Sequence, residues 1–367
     1  MDDEGHMSSP IGADNPERAM RYKILGRHTG LRVSELALGT GMFGTKWGHG
    51  ADRDESRRLF DGYLEAGGNF LDTSDSYQFG ESESLLGEFI KANRDDLVVA
   101  TKYTQSADPK GSLSVTGNSR KAMVRSLEAS LKRLGTDRID LYWVHMPDSV
   151  TPIEEIVRGL DDLVRSGKVL YIGLSDFPAW RISAAAMLAE LRGWTPIAAQ
   201  QIEYSLVQRT PERELLPMAA AFGLATVAWS PLGGGVLTGK YRRGETGRQT
   251  GMGGRLFHAE DTPERTAIVD MLEAIAKETG SNAGRVAIAW VGAKGAIPII
   301  GPRTRTQLDD NLAAVDDSLT ADQIRRLDGV SAISLGFPHD LLAGPATQDR
   351  IAGGKRALLD LPVQPVR

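Results

Sequence analysis

The chain has 367 residues, and 43 Lys+Arg against 48 Asp+Glu leave a formal net charge of −5. Mild acidity of this kind provides no basic field for nucleic acid and no polybasic patch for a membrane surface. A hydrophobic share of 41% with 25% charged residues is a globular composition, and zero cysteines exclude disulfides, thiolate catalysis and Cys-ligated zinc while suiting a reducing cytoplasm.

Residues 1–19 open on Met1-Asp2-Asp3-Glu4, lack the basic and apolar regions of a secretory leader, and are expected to be disordered; Met7 offers a second start. Met20–Val33 reads as a short β-hairpin turning through Gly26 to Gly30. Eight short apolar runs follow: Glu35–Leu38, Asn69–Leu71, Leu97–Thr101, Ile139–Val144, Val169–Leu174, Pro196–Ile202, Ala225–Trp229 and Ala296–Ile300. Between them lie helical stripes, carried by Leu59, Phe60, Tyr63 and Leu64, then Leu85, Leu86, Phe89 and Ile90. Met123, Leu127, Leu131 and Leu134 form the next, followed by Ile153, Ile156, Leu160 and Leu163. Alternating strands and helices imply parallel strands with right-handed crossovers. Eight repeats favour a closed (β/α)8 barrel, an α/β fold of TIM-barrel type occupying residues 20–334 as one domain.

Three stretches interrupt the repeat. Leu215–Gly239 carries no charge over a length that would span a bilayer. Pro217, Pro231 and Gly233-Gly234-Gly235 argue instead for a helix, a buried strand and a turn. Residues 233–262 are too long for a routine connection and read as a mobile functional loop. Residues 335–367 form a tail, either frayed or packed over the substrate pocket.

Gly39-Thr-Gly41-Met-Phe-Gly44 is a literal G-x-G-x-x-G after a strand, with Asp72 available for a ribose. A Rossmann site requires that pattern to open a helix, and Thr45–Asp52 intervene. The next strand ends at Asp72, and Tyr77 follows five positions later, before a helix. Two more strands run into Lys102 and His145. In a parallel barrel all strand C-termini open on one face, so Asp72, Tyr77, Lys102 and His145 converge there. Singly they read as a cap, an aromatic at the rim, a snorkelling lysine and a satisfied core histidine. Four at successive strand ends favour a site.

On these residues, and on Gly173-Leu-Ser175-Asp176-Phe177, Gln201-Ile-Glu-Tyr204-Ser205, Trp229-Ser230-Pro231-Leu232 and Ile300-Gly301-Pro-Arg303, the chain resembles the aldo-keto reductase superfamily from about Tyr22 to Leu327. The resemblance implies an enzyme that interconverts aldehydes or ketones and alcohols with Asp72, Tyr77, Lys102 and His145 as its catalytic tetrad. The chemistry stands beside it. Hydride transfer to a carbonyl leaves an alkoxide that must receive a proton, and a phenol of pKa about 10 is too weak an acid unaided. An adjacent ammonium favours the phenolate, so Lys102 brings Tyr77 toward the operating pH. Asp72 neutralises Lys102, and His145 orients the carbonyl oxygen.

No member of this set donates hydride, so a cofactor is required. The resemblance makes it a nicotinamide dinucleotide, extended across the barrel mouth past Gly41, Met42 and Asp72, and Arg303 at a helix start points to NADP(H) in preference to NAD(H). Trp229 stacks on the nicotinamide, with Ser175, Asp176 and Gln201 on the carboxamide. Asp176 replaces the commoner asparagine, and an ionised aspartate accepts hydrogen bonds only. Ser230, Pro231, Leu232, Gly234, Leu237, Lys240 and Arg255 line the diphosphate segment. Gly301, Arg303, Gln307, Asp310 and Asn311 hold the adenosine end. Gly301 and Gln307 stand where many relatives carry basic residues, so the NADP preference rests on Arg303, helped by Arg305, with an ordinary helix-start arginine as the rival reading. Trp47, Tyr77, Tyr103, Trp143 and His145 are the expected substrate contacts, with Met42 and the tail around Phe337 as further walls.

The expected partner is a small carbonyl or alcohol, without nucleic acid or membrane, and the sequence carries no signature of oligomeric state. The six histidines show no metal-ligand spacing. Two other functions share the motifs. One is a redox-sensing binding module like the channel β subunits that resemble this family. The other is a Schiff-base aldolase using Lys102, which a neighbouring carboxylate disfavours.

Overall fold

The structure, a computed structural model, describes residues 19–245 and 258–360. The acidic N-terminal residues 1–18, Arg255 and the last seven residues of the tail lie outside the described residues.

β1 (Tyr22–Ile24) and β2 (Arg32–Ser34) pair antiparallel as the expected hairpin. Eight parallel strands then close a barrel: β3 (Ala37–Gly39), β4 (Phe70–Asp72), β5 (Val98–Tyr103), β6 (Ile139–Val144), β7 (Val169–Ser175), β8 (Ile197–Glu203), β9 (Ala225–Trp229) and β10 (Ile297–Ile300), with β10 beside β3. The α/β barrel reading holds, and the Rossmann reading fails. After Gly39 the chain makes a loop in which the Gly44 amide donates to the Ala51 carbonyl, and no helix starts before Arg53.

Helices α1 (Arg53–Glu65), α2 (Glu81–Phe89), α3 (Arg120–Leu134), α4 (Ile153–Arg165), α5 (Ala179–Arg192) and α6 (Leu215–Phe222) follow β3, β4, β5, β6, β7 and β8. Local chemistry sets their ends. Asp52 accepts the Glu55 amide to start α1, Ser119 accepts the Ala122 amide to start α3, and Gly135 ends α3 at φ 61, where a side chain would be strained. Met123, Leu127 and Leu134 on the inner stripe of α3 are fully buried. Each such side chain contributes roughly 1.5–3 kcal/mol.

The uncharged stretch divides into α6, β9 and a turn at Gly233–Thr238. Among the described residues no helix is long and apolar enough to cross a membrane. Beyond the loop lie α7 (Pro263–Thr279) and α8 (Ala283–Ala293), and after β10 come α9 (Arg305–Leu312) and α10 (Ala321–Val330).

Strand side chains alternate between two cores. Ala37, Phe70, Val98, Ala100, Leu141, Trp143, Ala199, Val227, Ile297 and Ile299 point into the barrel, where Leu25 and Val33 from the hairpin side close the bottom. Leu38, Leu71, Val99, Tyr103, Tyr142, Val144, Leu174 and Ile300 point out to the helices. The interior is filled at its lower end, and a cleft opens at the C-terminal mouth.

The tail folds into two short helices, α11 (His339–Ala343) and α12 (Pro345–Ile351). It is tied to the barrel where Arg213 donates to the Ser334 carbonyl at 2.9 Å and His339 meets Glu214 at 2.8 Å. Phe337 is 87% exposed, and none of the described tail residues lines the cleft at the barrel mouth.

Candidate active site

Inward parity near the strand ends brings Asp72 of β4, Ser175 of β7, Gln201 of β8 and Trp229 of β9 to the mouth, with Lys102 of β5 just beneath, bonded to Asp72 and Tyr77. His145 follows β6 directly, its amide donating to the Tyr103 carbonyl at 3.0 Å. Tyr77 enters from the loop after β4.

Lys102 is fully buried and uses all three ammonium protons. Its Nζ donates to Asp72 Oδ2 at 2.5 Å, to the Thr73 carbonyl at 2.8 Å and to Tyr77 Oη at 3.1 Å. The other Asp72 oxygen accepts from Gln201 Nε2 at 2.9 Å. Burial opposes the Lys102 charge, but Asp72 and Tyr77 outweigh it, and the lysine pKa is raised. The pair is buried and fully bonded, the condition under which a desolvated ion pair persists.

His145 stands edge-on to Tyr77, with ring centroids 5.9 Å apart. Burial, then the charge of Lys102, push its pKa down to about 3, so the imidazole is neutral at working pH. On the opposite side Trp47 packs edge-on against Tyr77 at 6.1 Å.

Behind Tyr77, Asp75 is 1% exposed, and burial, then the negative charge of Glu83, raise its pKa to about 7. An unfolded carboxyl ionises near 4, so between pH 4 and 7 the folded chain binds the extra proton and stability falls as pH rises. The full difference corresponds to roughly 4 kcal/mol. Asp75→Asn is expected to remove this decline, gaining on the parent protein from about pH 4 to 7 and holding a constant margin above that. Urea unfolding across that range checks it; an unchanged pH slope would remove Asp75 as its source.

The tetrad opens into a cleft of about 1040 Å³ that runs across the mouth. Of the cofactor positions read from the sequence, Gly41, Met42, Asp72, Ser175, Asp176, Gln201, Trp229, Ser230, Pro231, Leu232, Gly234, Lys240, Gly301, Arg303, Gln307, Asp310 and Asn311 line it. Leu237 does not. It is buried in the apolar cluster with Leu272, Val286 and Trp290.

The residues present fit a nicotinamide dinucleotide. Ser175 Oγ is buried with no partner among the described residues, in the same cleft as Asp176 and Trp229. Asp176 takes a left-handed φ of 54, which Asp and Asn tolerate, and accepts from Trp229 Nε1 at 3.0 Å. Burial raises its pKa to about 6. Gln201 splits its role, because its amide N–H already holds Asp72. Farther along, Arg303 stands 3.3 Å from His49 Nδ1, and its backbone amide donates to Gln307 Oε1 at 2.9 Å. Burial and the Arg303 charge lower the Lys240 pKa, marking a concentration of positive charge suited to phosphate. Arg305 does not join them: it pairs with Asp309 and Glu65 on the helix layer.

Two expected substrate contacts are absent from the cleft wall. Tyr103 follows the inward Lys102 and therefore points outward, stacked on Tyr142 at 5.2 Å. Trp143 points inward but lies beneath the site, filling the barrel where a Cβ on Gly173 would approach its ring to 2.3 Å. Trp47, Tyr77 and His145 do line the cleft. Sequence reading also missed Met146 and a wall from α7 and the start of α8, including Lys277, Ser281 and Asn282. The Asn282 cap that starts α8 was a signal available in the sequence for that wall.

A model of the aldo/keto reductase family matches residues 35–332. The chain belongs to that family. Among curated relatives, this aldo/keto reductase is 36% identical over 356 residues to aryl-alcohol dehydrogenase [NADP(+)] of Phanerodontia chrysosporium, covering 92% of each chain. It is 35% identical over 354 residues to norsolorinic acid reductase of Aspergillus flavus, covering 93% of this chain and 89% of the relative. With the uncharacterized oxidoreductase YrpG of Bacillus subtilis it shares 40% identity over 322 residues, covering 85% and 96%. The protein is an oxidoreductase of the aldo/keto reductase family.

Proposed function

We propose that this aldo/keto reductase uses NADP(H) to interconvert aromatic or other bulky apolar carbonyl compounds and their alcohols, with Tyr77 giving the proton in reduction and taking it in oxidation. The observation that carries the reading is the 3.1 Å bond from the buried Lys102 ammonium to the Tyr77 phenol, at the mouth beside Trp229. When bound, the nicotinamide supplies or accepts hydride. Everything else falls to the protein. Lys102 stabilises negative charge on the phenol oxygen as its proton leaves, Asp72 keeps Lys102 compensated, and neutral His145 donates a hydrogen bond that fixes the carbonyl oxygen near Tyr77. Trp47, Met42 and the Tyr77 ring give the substrate end an apolar wall, which suits an aryl group.

The aldolase alternative needs a neutral lysine, whereas Lys102 makes three bonds and has a raised pKa. The decisive assay follows NADPH absorbance against aryl aldehydes, ketones and quinones, and NADP+ against benzylic alcohols. Turnover absent from the whole panel would sink the reading and favour the binding-module alternative.

Arg303 and Lys240 support the preference for NADP(H), as does the NADP(+) in the name of the Phanerodontia relative. Arg303→Ala is expected to raise KM for NADPH about 10- to 100-fold, the scale of a lost charged hydrogen bond, while moving KM for NADH little. Equal effects on both cofactors would mean that Arg303 does not read the 2′-phosphate.

A further inference from the structure

After β4 the chain turns through Thr73-Ser74-Asp75, which sets a serine hydroxyl beneath the imidazole of His145. Ser74 is fully buried, with Oγ 3.2 Å from His145 Nδ1. A neutral imidazole carries one ring proton, and its position decides whether the opposite nitrogen donates or accepts. Orienting a carbonyl oxygen requires an N–H on the nitrogen that faces the substrate. Nδ1 lies on the Ser74 side, so Nε2 must be that nitrogen.

We propose that Ser74 is a positioning residue: its hydroxyl donates to His145 Nδ1 and so holds the ring in the Nε2–H tautomer that carbonyl reduction uses. The inference rests on the reductase reading and deepens it. Ser74 has one proton to give and two lone pairs to fill. The Ser76 amide at 3.4 Å and the Ser76 hydroxyl at 3.1 Å are placed to donate into those lone pairs. The charged-group competitor for the Ser74 proton is Asp75 Oδ1, more distant at 3.4 Å. That carboxyl is enclosed with Glu83 of α2, Arg133 of α3 and Tyr142 of β6, and burial keeps it protonated up to about pH 7. A neutral Asp75 is a weak rival for the proton, which leaves it to Nδ1.

NMR of protein carrying ring-nitrogen-labelled histidine reads the tautomer directly, with the His145 signals assigned by their loss in His145→Gln. In the parent protein below pH 7, Nε2 is expected to be the protonated nitrogen and Nδ1 the accepting one. Ser74→Ala is expected to move His145 toward a mixture of tautomers and lower kcat for reduction about tenfold, the scale of one lost hydrogen bond, with little change in KM for NADPH. Ser74→Thr, which keeps the hydroxyl, restores the parent signals. An Nδ1–H ring in the parent protein, or an unmoved tautomer in Ser74→Ala, would overturn the role of Ser74. If Ser74→Ala does not fold, the parent spectrum decides alone. The spectrum needs no turnover, so an inactive protein with an Nε2–H His145 would count against the reductase reading and not against Ser74.

Discussion

Tyr77→Phe is expected to cut kcat by about 10²–10⁴-fold, the contribution of a positioned general acid, while the dissociation constant for NADPH stays within about twofold. The substitution removes one oxygen and keeps the ring. That ring makes the edge-on contacts with Trp47 and His145 and lies 3.7 Å from where a Cβ on Gly41 would stand, so the cleft keeps its shape. The lost oxygen is the third acceptor of Lys102 Nζ, and the ammonium retains Asp72 and Thr73. The ammonium proton left without its acceptor costs about 1–3 kcal/mol of stability, less than breaking the ion pair itself. Fluorescence titration with NADPH and single-turnover stopped flow separate binding from chemistry. Parent-like turnover would remove Tyr77 from its role and throw the proton onto another group in the cleft.

The fold was legible because short, continuously buried apolar runs alternate with helical stripes, as strands covered on both faces by a barrel interior and a helix layer require. Where the apolar runs stop short of the strand ends, the cause is the site itself. The apolar runs stop at Leu71, Thr101 and Leu174, whereas β4, β5 and β7 continue to Asp72, Tyr103 and Ser175. Polar groups at the inward ends break the hydrophobic pattern, as functional positions do.

The alternation of side chains along a strand explains the two misplaced aromatics. Once Lys102 points inward, Tyr103 must point outward. Trp143 has the inward parity but sits level with Lys102 across β5 and β6, too deep to reach the cleft. Arg305 was misread because helix direction cannot be taken from a neighbour: it begins α9 facing α1, where Glu65 and Asp309 claim it. The wall from α7 and α8 could not be read from strand ends, since it comes from helices after a long loop.

Lys102→Met tests the remaining support of the mechanism by separating structure from chemistry. Removing the ammonium leaves Asp72 buried and uncompensated, with Gln201 Nε2 as its one remaining side-chain partner among the described residues. Breaking a buried pair in this way costs about 3–5 kcal/mol of stability, readable in urea unfolding. Adding Asp72→Asn removes the orphaned charge, and the double variant should recover most of that loss. Activity follows a different course. Without a cation 3.1 Å away, nothing offsets burial of the phenolate form of Tyr77. Reduction should stay at least about a hundredfold down in the single and double variants alike. If instead turnover returned together with stability, Lys102 would be a strut for Asp72, and the proton of Tyr77 would need another source of acidity.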